Sequence, residues 1–155
     1  MDAVTGRDRR RKVTAVVNGV RDLRTELAVF SHRVGGHVEL KDVDFDCLDV
    51  IARHGPLSPT ALAARVGVHL ATMTGILNRL EAGGWITRVP VVEDRRAVRV
   101  QATPDRQREL YAVLGGMNAR MREICEGYTD EQLETIADFL SRTVEAGRVS
   151  SDELA

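Results

Sequence analysis

The sequence predicts a mainly α-helical, α+β protein: a winged helix-turn-helix segment set between long N- and C-terminal helices that form a dimerisation region. Three observations lead there. Apolar residues recur at spacings of three and four along most of the 155-residue chain, the mark of amphipathic helices. One stretch alternates instead. In "AVRVQA", residues 97–102, Ala97, Arg99 and Gln101 fall on one side and Val98, Val100 and Ala102 on the other, as in a half-buried strand. Two short helical segments joined by a tight turn stand just before it, in the order a winged helix-turn-helix requires.

The elements follow in turn. Val13, Val16, Val17, Val20, Leu23, Leu27, Phe30 and Val34 mark one helical stripe, which "GGH" at 35–37 is expected to break. A second helix near 43–54 presents Phe45, Leu48, Ile51 and Ala52, and "HGP" ends it, with Gly55 suited to a left-handed cap. Ser58-Pro59 opens a third, serine as N-cap and proline at the first helical position; Gly67 stops it. A fourth runs from about 69 to 82, with Met73, Ile76, Leu77 and Leu80 inward, and "GGW" closes it. The hairpin, residues 89–100, follows. Thr103-Pro104 caps a long fifth helix carrying Leu110, Val113, Leu114, Met117, Met121 and Ile124, in which Gly115-Gly116 is a potential kink. Thr129-Asp130-Glu131-Gln132 reads as a capping box before a last helix with Leu133, Ile136, Ala137, Leu140 and Val144. The expected organisation is a flexible basic arm (1–12), a helical dimerisation region (13–40 and 104–147), a winged helix-turn-helix (41–103) and a flexible tail (148–155).

Charge is unevenly spread. The net charge is −1, yet residues 53–108 hold nine Lys and Arg against four Asp and Glu, net +5, and residues 109–155 hold four against ten, net −6. A basic middle is the electrostatic footprint expected of a segment that meets a polyanion. The N-terminus lacks the apolar core of a secretory signal. No apolar run reaches the ~18 residues of a membrane span. The expected setting is the cytoplasm, with Cys47 and Cys125 as reduced, buried thiols, no membrane partner, no cofactor and no metal site.

The fourth helix carries the functional expectation. Its outward positions are His69, Ala71, Thr72, Thr74, Gly75, Asn78 and Arg79, and no acid occurs between residues 68 and 80. Hydroxyls and an amide suit base-edge hydrogen bonds, and small apolar groups suit a thymine methyl. Arg79, near the helix end, is expected to meet a phosphate. Ser58 and Thr60, at the start of the preceding helix, join these as candidate DNA contacts. The hairpin tip, "EDRR" at 93–96, fits the same picture. A wing lies over the minor groove, which is narrow and strongly negative at A·T-rich sequence, so an inserted Arg95 or Arg96 is favoured. Asp94 is expected to support the tip by pairing with Arg96 or Arg88.

Residues 45–104 resemble the MarR family of bacterial transcription regulators. The resemblance rests on "ARHGPLSPTALAARVGV", "LNRLEAGGWITR" and "EDRRAVRVQATP", and the flanking helices extend it over nearly the whole chain. It implies a homodimer on a pseudo-palindromic stretch of double-stranded DNA, usually a repressor released by a small molecule or oxidant. The family's Asp-x-Arg wing motif falls on Asp94 and Arg96, and its reading helix on 69–82. Many members carry arginine where this chain has Gly75, and serine where it has His69, so base preference does not carry over. The implied effector cleft lies between the dimer helices and the winged lobe, with Phe30, His32, His37, Phe45 and Leu48 as candidate lining. Oxidant-sensing members use a cysteine near the start of the first helix, which this chain lacks. Apolar stripes on the first and last two helices lead to a two-fold homodimer independently, because a small winged domain cannot cover them.

Two other functional classes compete with this one. A winged-helix module that binds protein without DNA would use the same surface, and the basic middle segment speaks against it. An enzyme built on Cys47 and His54, seven apart on one helix face, lacks an orienting third group and an oxyanion site.

Overall fold

Helix α1 (Asp2–His37) is 36 residues long, about 54 Å at 1.5 Å per residue. The computed structural model of the chain describes residues 2–91 and 97–154. Two expectations about α1 change. Residues expected as a flexible arm continue the helix back to Asp2, and ion pairs one turn apart, Asp8 with Arg11 (3.0 Å) and with Lys12 (2.7 Å), brace that stretch. Gly35 and Gly36 do not break it either. Gly35 is buried inside the last turn, where an added Cβ would lie 3.1 Å from the Leu40 carbonyl oxygen. The glycine serves close approach. The chain reverses instead at Glu39, which takes a left-handed φ of 59°.

Helix α2 (Asp42–His54) is the hub, packing against α1 and the winged elements. Asp42 and Asp44 stand in its first turn, where the helix dipole favours acids. Gly55 ends it in extended backbone, φ −67° and ψ 165°, not in the left-handed cap expected. The following proline biases its neighbour towards that region. A side chain there would meet the Ile51 carbonyl oxygen at 2.5 Å, so glycine is needed for space.

Helices α3 (Pro59–Val66) and α4 (Leu70–Ala82) form the helix-turn-helix, bent by 107° across the turn. The Ala61 N–H donates to Ser58 Oγ at 3.2 Å, the N-cap the sequence called for. Gly67, at φ 73°, supplies the left-handed residue that ends α3. Strands β1 (Ile86–Pro90) and β2 (Val98–Ala102) pair antiparallel, with Arg88 opposite Val100 and Pro90 opposite Val98. Leu57 adds a bridge: its N–H and carbonyl both bond Val100, at 3.1 and 2.8 Å. The core gathers Phe45, Cys47, Leu48 and Ile51 from α2, Leu62 from α3, Met73, Ile76, Leu77 and Leu80 from α4, and Trp85, Ile86 and Val100 from the hairpin.

Helix α5 (Pro104–Glu126) is one unbroken helix through Gly115-Gly116. Its Leu110 is buried in the core, and Gln107 Nε2 donates to the Ala52 carbonyl at 3.3 Å. Residues up to Val113 belong to this first compact unit, and Leu114–Ala155 form a second. Helix α6 (Asp130–Asp152) opens on the expected capping box: Thr129 Oγ1 accepts from the Gln132 N–H at 3.3 Å, and Gln132 Oε1 accepts from the Thr129 N–H at 2.9 Å. It runs into the stretch expected as a flexible tail, and none of its residues is buried. No single helix among the described residues is long and apolar enough to cross a membrane.

Candidate nucleic-acid interface

The outward face of α4 is built by what its inward face anchors. Met73, Ile76, Leu77 and Leu80 are buried, and that stripe turns Ala71, Thr72, Thr74 and Asn78 outward, all exposed. His69 precedes the helix in extended backbone, makes no side-chain cap hydrogen bond, and is exposed as well. Thr74 Oγ1 bonds back to the Leu70 carbonyl at 3.4 Å, which leaves its methyl to cover the helix surface. Gly75 is half-buried, and an added Cβ there would touch only Arg79 Nη1, at 3.6 Å. On α3, Thr60 is exposed while Ser58 is occupied as the N-cap.

Arg79, expected to meet a phosphate, is engaged within the chain. Its Nε donates to Asp44 Oδ2 at 2.8 Å and its Nη2 to Asp44 Oδ1 at 2.6 Å, a two-point fork on one carboxylate. Asp44 is only 3% exposed, and a carboxylate so far from water requires a cation. Asp44 holds the Arg79 guanidinium above its ordinary range, chiefly through that hydrogen bond. The pair ties α4 to α2. The sequence reading did not single out Asp44, although a signal was present. It lies three, four and seven residues before Cys47, Leu48 and Ile51, on the face that enters the core.

Arg88, expected as one partner of Asp94, is held from α4: its Nη2 donates to Asn78 Oδ1 at 2.7 Å and its Nη1 lies 3.4 Å from Glu81 Oε2, its partners among the described residues. The proposed tip residues Asp94, Arg95 and Arg96 lie outside the described residues. At the wing's base Thr103 Oγ1 donates to the Gly84 carbonyl at 2.7 Å, and the Arg106 guanidinium sits 4.6 Å from the centre of the Trp85 ring.

An open cleft of about 520 Å3 is lined by residues 37–41 with Asp44, Arg79, Gly83, Trp85, Arg106 and Glu109. Of the five expected lining residues only His37 is among these. Phe45 and Leu48 are core, Phe30 is half-buried, and His32 is exposed with Nδ1 2.9 Å from Asp42 Oδ1.

The cysteines differ from each other. Cys47 is fully buried, as expected, while Cys125 is exposed. Burial first, then Asp44 and Asp46, push the Cys47 thiol up from 9.0 to about 11, against a smaller opposing effect of Arg79. At neutral pH it is a protonated thiol closed to solvent, so the Cys47–His54 pair offers no nucleophile. Among the described residues no group of three His, Cys, Asp or Glu side chains is placed to hold a metal ion.

Comparison with known proteins agrees with this architecture. Residues 40–98 match the model of the MarR family. The chain is 23% identical over 125 residues to YcgE, an uncharacterised HTH-type transcriptional regulator of Bacillus subtilis, covering 81% of each chain. It is 32% identical over 101 residues to the HTH-type transcriptional repressor YetL of the same species, covering 65% of this chain and 60% of that one. Among solved structures it resembles the transcriptional regulator Tm0710 of Thermotoga maritima, with 26% identity, a TM-score of 0.62, and coverage of 86% and 94%. On its helix-turn-helix, its wing strands and these matches, residues 40–98 carry a MarR-family winged helix-turn-helix domain, and the chain is similar to transcriptional regulators of that family.

Proposed function

We propose that the protein is a homodimeric, sequence-specific regulator that places α4 in the major groove of double-stranded DNA and the wing, residues 89–100, over the adjacent minor groove. The observation that carries this is the outward face of α4. It is exposed and free of acids, and it presents small and neutral polar groups beside a hairpin. Phosphate contacts then fall to groups around that face, since Arg79 is engaged with Asp44.

Dimerisation is supported by side chains the single chain leaves uncovered. Val13, Val16, Val17, Leu23 and Leu27 on α1 are exposed, and so are Ile136, Phe139, Leu140 and Val144 on α6. Fully burying one such side chain stabilises by about 1.5–3 kcal/mol, so a partner that covers the stripes gains substantially. Two reading helices in a two-fold dimer then meet half-sites about 34 Å apart, one turn of DNA. Repression is the direction taken here, by analogy with the named activity of YetL. The place we assign to a small-molecule effector is the cleft beside α4, whose lining includes both Asp44 and Arg79. A ligand that engages either one acts directly on the tie between α2 and α4.

The test is selection of bound fragments from random duplexes, followed by gel-shift titration. The expected operator has two inverted half-sites one turn apart. Arg96→Ala weakens binding by roughly 1–3 kcal/mol without unfolding the protein. Affinity falls steeply with salt between about 50 and 200 mM. Equal affinity of Arg96→Ala and wild type, or a flat salt titration, contradicts the reading.

A further inference from the structure

Asn78 and Arg88 meet where the reading helix joins the wing. The Arg88 Nη2 donates to Asn78 Oδ1 at 2.7 Å, and its Nη1 lies 3.4 Å from Glu81 Oε2, one helical turn beyond Asn78. Arginine has donors and no acceptor. The amide atom turned to it is therefore the oxygen, whichever way the amide would otherwise rest. Glu81 holds the guanidinium in place from the same helix.

An asparagine with both amide ends open makes a two-point contact with adenine, accepting from N6 and donating to N7. At Asn78 the accepting end already receives a charged donor. An adenine amino group would have to take the second lone pair of that oxygen, beside a guanidinium already seated on the first. What Asn78 keeps is the pair of N–H groups on its nitrogen, on a residue that is exposed. We propose that Arg88 is a positioning residue that turns Asn78 to present its donor end, so that α4 prefers a base-edge acceptor there, guanine O6 or N7 or thymine O4, over adenine. This rests on the DNA-binding function proposed above.

The experiment is selection from random duplexes by wild type, Arg88→Ala, Arg88→Lys and Asn78→Ala, with circular dichroism and melting curves for each. Wild type selects guanine or thymine at the Asn78 position. Asn78→Ala relaxes that one position and weakens the selected duplex about fivefold or more. Arg88→Ala frees the oxygen and shifts the same position towards adenine. Arg88→Lys still donates to that oxygen and keeps the wild-type preference. Asn78→Asp keeps the acceptor for Arg88 and removes both donors; it loses binding at least as fully as Asn78→Ala, a result that needs no Arg88 variant to fold. An unchanged preference in folded Arg88→Ala overturns the inference. So does wild-type affinity in Asn78→Asp, or a uniform weakening of all duplexes by Asn78→Ala. Absence of duplex binding by wild type overturns the function itself and this inference with it.

Discussion

Asp44 and Cys47 show how burial sets the chemistry of single residues. Asp44 depends on Arg79 because water cannot reach it. Arg79→Met strands that carboxylate and is expected to lower the thermal midpoint by several degrees, whereas adding Asp44→Leu recovers much of the loss, since a buried pair can be replaced by apolar groups at little cost. Single and double variants compared by melting curves check this; an unaffected Arg79→Met would refute it. Cys47 makes a second prediction. Its thiol is raised from 9.0 to about 11, so the fold favours the neutral form. That contribution to stability is whole below pH 9 and is lost as pH rises from 9 to about 11. A thiol reagent at pH 8 should label Cys125 first, and Cys47 only after denaturant is added. At this scale caps were legible and partners were not. Ser58 and Thr129 act over three residues of chain, which a local pattern reveals. The partners of Arg79 and Arg88 depend on how separate elements approach, which spacing alone does not encode.

Glycines show what an element tolerates. Gly75 sits in the middle of α4, where an alanine Cβ would meet only Arg79 Nη1 at 3.6 Å, an ordinary contact. Gly75→Ala should therefore stabilise the protein by about 0.5–1 kcal/mol. It should also weaken operator binding, because the added methyl stands on the face proposed to meet DNA. Melting and gel-shift curves moving in opposite directions would establish both parts; tighter binding would remove any role for Gly75 in close approach. The same residue type misled the reading of α1, where Gly35 answers to the nearby Leu40 carbonyl and the helix continues through it. Most helices could be read from apolar spacing. The first turns of α1 could not, because residues 7–12 carry charges and no apolar period.

For the whole molecule the question is what covers α1 and α6. A dimer predicts that light scattering reports twice the 17.1 kDa chain mass and that the thermal midpoint rises with protein concentration. Val17→Glu or Leu140→Glu should shift the protein towards monomer and weaken binding to a two-half-site duplex more than to a single half-site. A monomeric wild type would overturn the assembly. The uncovered stripes and the basic middle segment were legible from residue order. The cleft was not, since α1, α2, α4 and α5 each contribute only part of its wall. The bridge between Leu57 and Val100 has its own mechanical consequence. It fastens strand β2 to the start of α3, so in the proposed dimer the strand and the helix-turn-helix of each copy are expected to move together. If the proposed effector loosens the tie between α2 and α4, the expected result is a change in the distance between the two reading helices of the proposed dimer, with the side chains on each outward face of α4 unchanged. Operators with inserted or deleted spacer base pairs should then differ in how strongly the effector releases them, whereas single-letter changes within a half-site should not.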